Sequence, residues 1–215
     1  MKTSSNADVR GMYDQIAGSY AQMMDTEIEL PIYATTLSGL AEVLVGIPGP
    51  VLDTSCGTGH LLERYRKEYD PDRALCGIDL SGQMVEQSKQ RLGPDVPLSE
   101  ADMRDLSQFE NGSMAAVLSF FAIHHLSADE VEQAFREWQR VLGKDGRLLL
   151  ASWEGSQPID YGDAASILAL RHREQDIVAW LAKAGFEVEE SQQRFEREMK
   201  MNSLYLRARR REPQK

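Results

Sequence analysis

Cysteine is scarce: Cys56 and Cys76 are the only two, too few for a disulfide framework and without the neighbouring histidines of a metal set. Nowhere does an apolar run approach the roughly 18 residues needed to cross a bilayer. The opening stretch MKTSSNADVR has one lysine and no apolar segment behind it, so the expectation is a cytoplasmic protein with no membrane association. Basic residues are in deficit as well. The 24 Lys and Arg against 34 Asp and Glu leave a net charge of −10, which repels phosphate backbones and argues against a nucleic-acid partner. The one basic cluster, RARRREPQK at 207–215, reads as a solvated chain end. Internal repeats and low-complexity tracts are absent too. What is present, 42% hydrophobic and 27% charged residues in a chain of 215, suits a single domain burying roughly 70% of its unfolded surface.

Periodicity then divides the chain. Val9, Met12, Tyr13, Ile16 and Tyr20 have helical spacing, and a second helix runs from Pro31, a favoured first-turn residue, towards Val45 until IPGP at 47–50 ends it. Strands and helices alternate after that: strand 50–53, helix 59–69, strand 74–79, helix 82–92, a short strand near 97–101 and strand 114–120. Ser127 and Glu130 are spaced as a capping box before the apolar stripe Val131, Phe135, Trp138, Val141 and Leu142. Lys144-Asp145-Gly146 turns the chain into the strand RLLLASW, and the helix EQDIVAWLAKAG ends at Gly185. Two last strands, near 186–192 and 202–210, have no helix between them. Alternation of this kind predicts an α/β fold: a mostly parallel seven-stranded sheet, helices on both faces, and an antiparallel edge hairpin. The expected organisation is one domain, 1–215, with an N-terminal helical cap at 1–48 and a ligand-binding core at 49–211.

In such sheets the ligand sits at the carboxyl ends of the strands. The stretch VLDTSCGTGHLLE at 51–63 is a strand, a tight glycine turn and a helix start, where bare backbone and unpaired N–H groups can meet a ligand. Asp79 ends its strand 26 residues after Asp53, about where a nucleotide-binding fold places the acid that grips ribose hydroxyls. A helix cap beside Ser81 describes it equally well. Leu62 stands where the third glycine of a dinucleotide fingerprint belongs, which disfavours a nicotinamide oxidoreductase, and no GKS or GKT follows, which excludes a phosphate loop. The pattern DxxxGxG headed by Asp53 fits a cofactor with adenosine and no pyrophosphate, its ammonium on Asp53 and its carboxylate on the turn amides.

The ordered set VLDTSCGTG, GIDLSGQMVEQSKQR, EADMRDL, AAVLSFFAIHHL and GRLLLASW, spread over about residues 9–211, resembles the class I S-adenosylmethionine-dependent methyltransferases. That resemblance implies a doubly wound Rossmann-like fold, S-adenosyl-L-methionine as cofactor and S-adenosyl-L-homocysteine as product. It implies that Asp53 and the backbone at Ser55, Cys56, Gly57 and Gly59 hold the methionyl part. Asp79 takes the ribose, Leu80 and Met84 pack the adenine, Asp102 and the Met103 amide read its edge, and Ser119 and Phe120 line the floor. Thr54 and Ser55 depart from the Gly, Ala or Val usual there. YDQIAGSY resembles the lid of small-molecule members, in which Tyr13 and Tyr20 close over the sulfonium and the substrate. Two buried aromatics one helical repeat apart are the plainer alternative.

Methyl transfer needs an acceptor held in line, and an acid–base group only where the acceptor loses a proton. His124 and His125 follow the strand carrying Ser119 and Phe120, and adjacent side chains diverge, so one faces the substrate. His125 is favoured, because similar sugar-amine methyltransferases have a histidine at the matching place before the leucine. His60 opens a helix and reads as exposed and structural. His172, Trp153, Tyr161 and Arg171 are candidates for a substrate wall, joined by Tyr13, Met23, Tyr33 and Phe121. No DPPY or NPPY follows the fourth strand, no cysteine stands at a substrate position, and Asp102 and Asp105 do not make a hard-ion site, so base methylation, carbon-5 pyrimidine chemistry and metal-dependent catechol methylation are set aside. The expected function is methyl transfer to oxygen or nitrogen of a small organic molecule, with no metal. The alternative is a module that binds the cofactor without turnover. Neither a nucleic acid nor a membrane is expected as a partner, and no oligomeric state is implied.

Overall fold

Seven strands form one sheet in the order β3-β2-β1-β4-β5-β7-β6. They are β1 (Val51–Asp53), β2 (Leu75–Asp79), β3 (Leu98–Glu100), β4 (Met114–Phe120), β5 (Leu142–Glu154), β6 (Phe186–Glu196) and β7 (Met201–Arg210). The computed structural model describes residues 4–159 and 167–211. Neighbours from β3 to β5 run parallel, and β7 lies antiparallel between β5 and β6. The chain winds outward from β1 to β3, returns to β4 beside β1, and winds the other way. The order therefore reverses between β1 and β4, and a crevice opens beyond their carboxyl ends.

The helices are α1 (Asn6–Glu27), α2 (Pro31–Val43), α3 (His60–Glu68), α4 (Gly82–Leu92), α5 (Ala128–Val141) and α6 (Glu174–Lys183). Ser5 and Asp8 close a capping box at the start of α1, Ser81 caps α4, and Ser127 with Glu130 boxes α5 as their spacing predicts. One face of the sheet buries Leu52, Val117, Leu148 and Leu150 against Phe135, Trp138 and Ile177. The other buries Val51, Leu118 and Leu149 against Leu37, Leu40, Leu62 and Tyr65. Strand β4 is covered on both sides, and so it reads as the unbroken apolar run MAAVL rather than as an alternation. Helix α2 packs onto the sheet, whereas α1 lies against α4 and crosses the strand tips. Among the described residues no helix is long and apolar enough to cross a membrane.

Three expectations change. Strand β5 starts at Leu142, with Lys144-Asp145-Gly146 as an irregularity inside it: Met114 pairs with Leu142, and pairing resumes at Ala116 with Arg147. Asp145 takes the left-handed φ of 59° there, which a short polar side chain tolerates. The edge strands run longer, to Glu196 and from Met201, because β6 is polar along most of its length and hydropathy gives no signal for a ladder made by the backbone. The arginines of RARRREPQK are not a solvated tail either. Arg207 pairs with Glu189 and Glu190, and Arg209 with Glu187, across the β6–β7 ladder, while 212–215 lie outside the described residues.

Gly59 joins the turn after β1 to α3. Its φ is +84°, and an added Cβ would fall 2.8 Å from Ser88 Oγ and 3.3 Å from Ser88 Cα of α4. Helices α3 and α4 approach closely because nothing stands between them. Gly59→Ala is therefore expected to destabilise the protein by about 2–4 kcal/mol, combining left-handed strain with overpacking; urea unfolding would measure it.

Candidate active site

The turn 54–59 is held open by backbone bonds to both neighbouring strands. Thr54 donates through N and Oγ1 to Leu118 O at 2.9 and 3.0 Å, and Cys56 N donates to Ile78 O at 2.9 Å. Gly57 N, at the summit, donates to Asp79 Oδ2 at 2.8 Å, while Asp79 Oδ1 accepts from Ser81 N at 2.9 Å. One carboxylate thus ties the tip of β2 to the glycine turn. Gly57 has φ +50°, and a Cβ there would meet only Tyr20 Cε1, at 3.7 Å, and Ser55 O, at 4.0 Å. Dihedral angle more than space requires glycine. Beside it the hydroxyl of Ser55 is buried with no partner, a polar atom left for a ligand.

Burial raises both strand-tip acids. Asp53, whose Oδ1 accepts from Ser55 N at 3.0 Å, is pushed up to about 7, and Asp79 to about 6 despite its backbone donors. Their folded values exceed the ordinary 3.8, so the stability they contribute is complete below that value and is lost as pH rises through about 6 and 7. The four buried histidines, held below their ordinary range, pull the whole protein's stability the opposite way, so the readout is the difference: relative to wild type, Asp53→Asn is expected to gain melting temperature from pH 5 to pH 8. Thermal scans across this range check it.

Leu80, Met84, Ala101, Asp102 and Met103 line one end of the cleft. Asp102 is not a bare acceptor. It receives Asn6 Nδ2 at 2.7 Å and Arg104 Nε at 2.9 Å, and despite burial these partners hold its carboxyl below the usual range. Arg104 also pairs with Glu130.

Tyr13 and Tyr20 of α1 close the other end, their rings edge-on at 6.3 Å. The Tyr13 hydroxyl meets His125 Nε2 at 2.9 Å. Burial pushes His125 down to about 4, so it is a neutral imidazole at physiological pH. Phe120, Phe121, Ala122 and Leu126 complete the wall. Phe121 adopts a left-handed φ of 48°, rare for a bulky residue, which seats its ring 4.7 Å from Trp153.

The structure thus brings to the cleft Tyr13, Tyr20, Ser55, Gly57, Asp79, Leu80, Met84, Asp102, Met103, Phe120, Phe121 and His125. It does not bring the rest there. Cys56 packs under Gly77, where a Cβ would come within 2.9 Å of its own. Asp53 and Ser119 are buried behind the lining, and Gly59 faces α4. His124 lies behind His125 with both ring nitrogens unpartnered. His172 is buried under the 3₁₀ turn Ile123–His125, its Nε2 at 3.2 Å from the Ile123 and Leu126 carbonyls. Arg171 donates to Gln157 O, and Met23 is 51% exposed. Tyr33 and Trp153 form a second layer behind Phe120 and Phe121, and Tyr161 is outside the described residues. His60 is buried rather than exposed. Sequence reasoning missed Asn6, Arg104 and Asp14, which accepts from Ser81 Oγ at 2.6 Å. The capping-box spacing of Ser5 and Asp8 was the one signal that could have located the first turn of α1.

The seven-stranded, mostly parallel sheet with its antiparallel edge pair is consistent with the Rossmann-like methyltransferase fold. Residues 51–146 match the methyltransferase domain family. Over 103 residues, 48% of this chain and 40% of the other, it is 33% identical to a dTDP-4-amino-2,3,4,6-tetradeoxy-D-glucose N,N-dimethyltransferase of Saccharopolyspora spinosa. The [4+2]-cyclase SpnF superposes with a TM-score of 0.75 at 17% identity, covering 99% of both chains. A Burkholderia thailandensis 1,6-didemethyltoxoflavin-N1-methyltransferase superposes at 0.66 and 17%, covering 99% of this chain and 93% of the other. The chain carries a methyltransferase domain over residues 51–146, which with these relatives supports a class I S-adenosylmethionine-dependent methyltransferase. It spans 40% of the length of the curated Saccharopolyspora relative.

Proposed function

We propose that this protein transfers a methyl group from S-adenosylmethionine to oxygen or nitrogen of a small organic molecule, releasing S-adenosylhomocysteine. The observation that carries it is the meeting of Tyr13 and His125 at 2.9 Å at one end of a cleft whose other end holds Asp79 and Asp102. The residues fit the cofactor. Gly57 leaves a cradle over the turn, Ser55 Oγ is buried and unpartnered, and each Asp79 oxygen keeps a lone pair beyond its backbone donor. Asp79 would hold the ribose, Leu80 and Met84 the adenine, and Ser55 with Gly57 the amino-acid part. When bound, the cofactor supplies an electrophilic methyl group.

This chain's residues do the rest. Helix α1 excludes water, and the aromatic wall positions the acceptor, so positioning supplies much of the rate. With its own proton on Nδ1, His125 Nε2 accepts the Tyr13 hydroxyl proton while Tyr13 takes that of the acceptor. Among the described residues the cleft lining holds neither Lys nor Arg, so it offers no cation to a polyanionic acceptor. In this reading 1–48 is the cap and 49–211 the cofactor-binding core of one domain. The free thiols of Cys56 and Cys76 fit the cytoplasm as its place of work.

Calorimetry with S-adenosylhomocysteine and with NAD, followed by transfer of labelled methyl to a metabolite extract, tests the proposal. Binding of the first, none of the second and a labelled product are expected. Binding without any labelled product points to a module that holds the cofactor without turnover.

A further inference from the structure

His60 lies at the start of α3, directly after the glycine turn, with its side chain 3% exposed. Both ring nitrogens are engaged: Nδ1 with Thr58 Oγ1 at 2.8 Å, and Nε2 with Asp25 Oδ1 of α1 at 2.8 Å. Asp25 is an ionised carboxylate and accepts only, so Nε2 carries the proton and Nδ1 accepts from the Thr58 hydroxyl. Arg91 of α4 locks the arrangement, donating to Asp25 Oδ1 at 2.9 Å, to Thr58 O at 3.1 Å and to Glu63 at 2.8 Å. The chain of bonds therefore runs from the lid helix, through a buried imidazole, into the turn that carries Gly57. At the other end of the lid Asn6 binds Asp102, and in its middle Asp14 holds Ser81, next to Leu80. The attachments of Asn6 and Asp14 fall on, or next to, a cleft-lining residue, and His60 follows the lining residue Gly57 by three positions.

We propose that Asp25, His60 and Thr58 are positioning residues that clamp the C-terminal half of α1 onto the glycine turn, so that seating of the lid and affinity for the cofactor are one coupled equilibrium. The affinity half of this inference rests on the cofactor reading above. Coupling is reciprocal: whatever releases the lid weakens the ligand, and the ligand tightens the lid. Asp25 is the residue to change, because its side chain is 58% exposed and its removal opens no cavity in the core.

In D25A the buried His60 N–H loses its acceptor. The expected results are S-adenosylhomocysteine bound about tenfold more weakly by calorimetry, and faster hydrogen–deuterium exchange of the 6–27 amides in the free protein. Asp25→Asn keeps an acceptor for both His60 and Arg91 and should restore both readouts, which a loss of mere surface charge would not do. Unchanged exchange in D25A overturns the clamp, as does wild-type affinity. If the wild-type chain gave no heat with S-adenosylhomocysteine, the cofactor reading would fail, and the exchange comparison would still decide the clamp by itself.

Discussion

Asp79→Ala is expected to weaken S-adenosylhomocysteine binding by about 100-fold or more, because it removes two charge-assisted bonds to backbone N–H groups along with the proposed ribose contact. The carboxylate holds Gly57 N at 2.8 Å and Ser81 N at 2.9 Å, so its loss loosens the turn as well as the ligand. Asp79→Asn separates these roles. The amide keeps one acceptor and should bind about tenfold more weakly. Stability gives a pH-dependent readout. Burial raises the acid of Asp79 to about 6, so at pH 8 the folded protein carries an ionised group that it would hold more readily as the acid. A neutral amide of the same shape removes that penalty. The amide also sets its NH2 against one of the two backbone N–H donors, so the melting temperature of Asp79→Asn relative to wild type is expected to rise from pH 5 to pH 8 while binding weakens. Parallel melting and calorimetry at both pH values measure the two effects, and a melting difference that does not rise, with binding lost, would reduce Asp79 to a helix-start residue.

His125→Ala should lower turnover by about 100- to 10,000-fold for an acceptor that loses a proton, with affinity for S-adenosylhomocysteine changed by about threefold or less, since no cofactor-side bond depends on the imidazole. The pH profile gives a second readout. Burial holds His125 at about 4, so the free base persists as pH falls through the ordinary histidine range, and the acid limb of the rate should lie near 4 rather than near 6.5. With the acceptor identified from the labelled extract, undiminished turnover in His125→Ala at all pH values would assign the chemistry to positioning alone, and an acid limb at about 6.5 would assign the base to a group other than the buried His125.

The strand tips were legible in the sequence because they are where buried strands must stop. A parallel strand covered on both faces reads as a short apolar run, and the acid that ends it is conspicuous, as with Asp53 after Val51-Leu52 and Asp79 after the run at 75–78. Orientation was not legible. Of the pair His124-His125, only the 3₁₀ turn decides which ring meets Tyr13, and the hydrogen bond spans 112 positions. His60 looked exposed because it opens a polar helix, yet Asp25, 35 positions earlier, and Arg91 bury it. His172 had the composition of a loop residue, and its carbonyl partners come from a turn more than 40 positions away. Edge strand β6 hides its length for a different reason: backbone pairing and Glu–Arg contacts leave no hydrophobic period. Local pattern revealed what the backbone needs, and long-range packing decided where side chains point.

Soaking or co-crystallising the protein with S-adenosylhomocysteine and locating the ligand tests the account at its centre. The expected density lies between α1 and the tips of β1, β2 and β4, with ribose hydroxyls on Asp79, the adenine between Leu80 and Met84, and the sulfur facing the Tyr13–His125 pair. Density elsewhere on the molecule, or a crevice at Gly57 that stays closed by the chain's own side chains at saturating ligand, would contradict it.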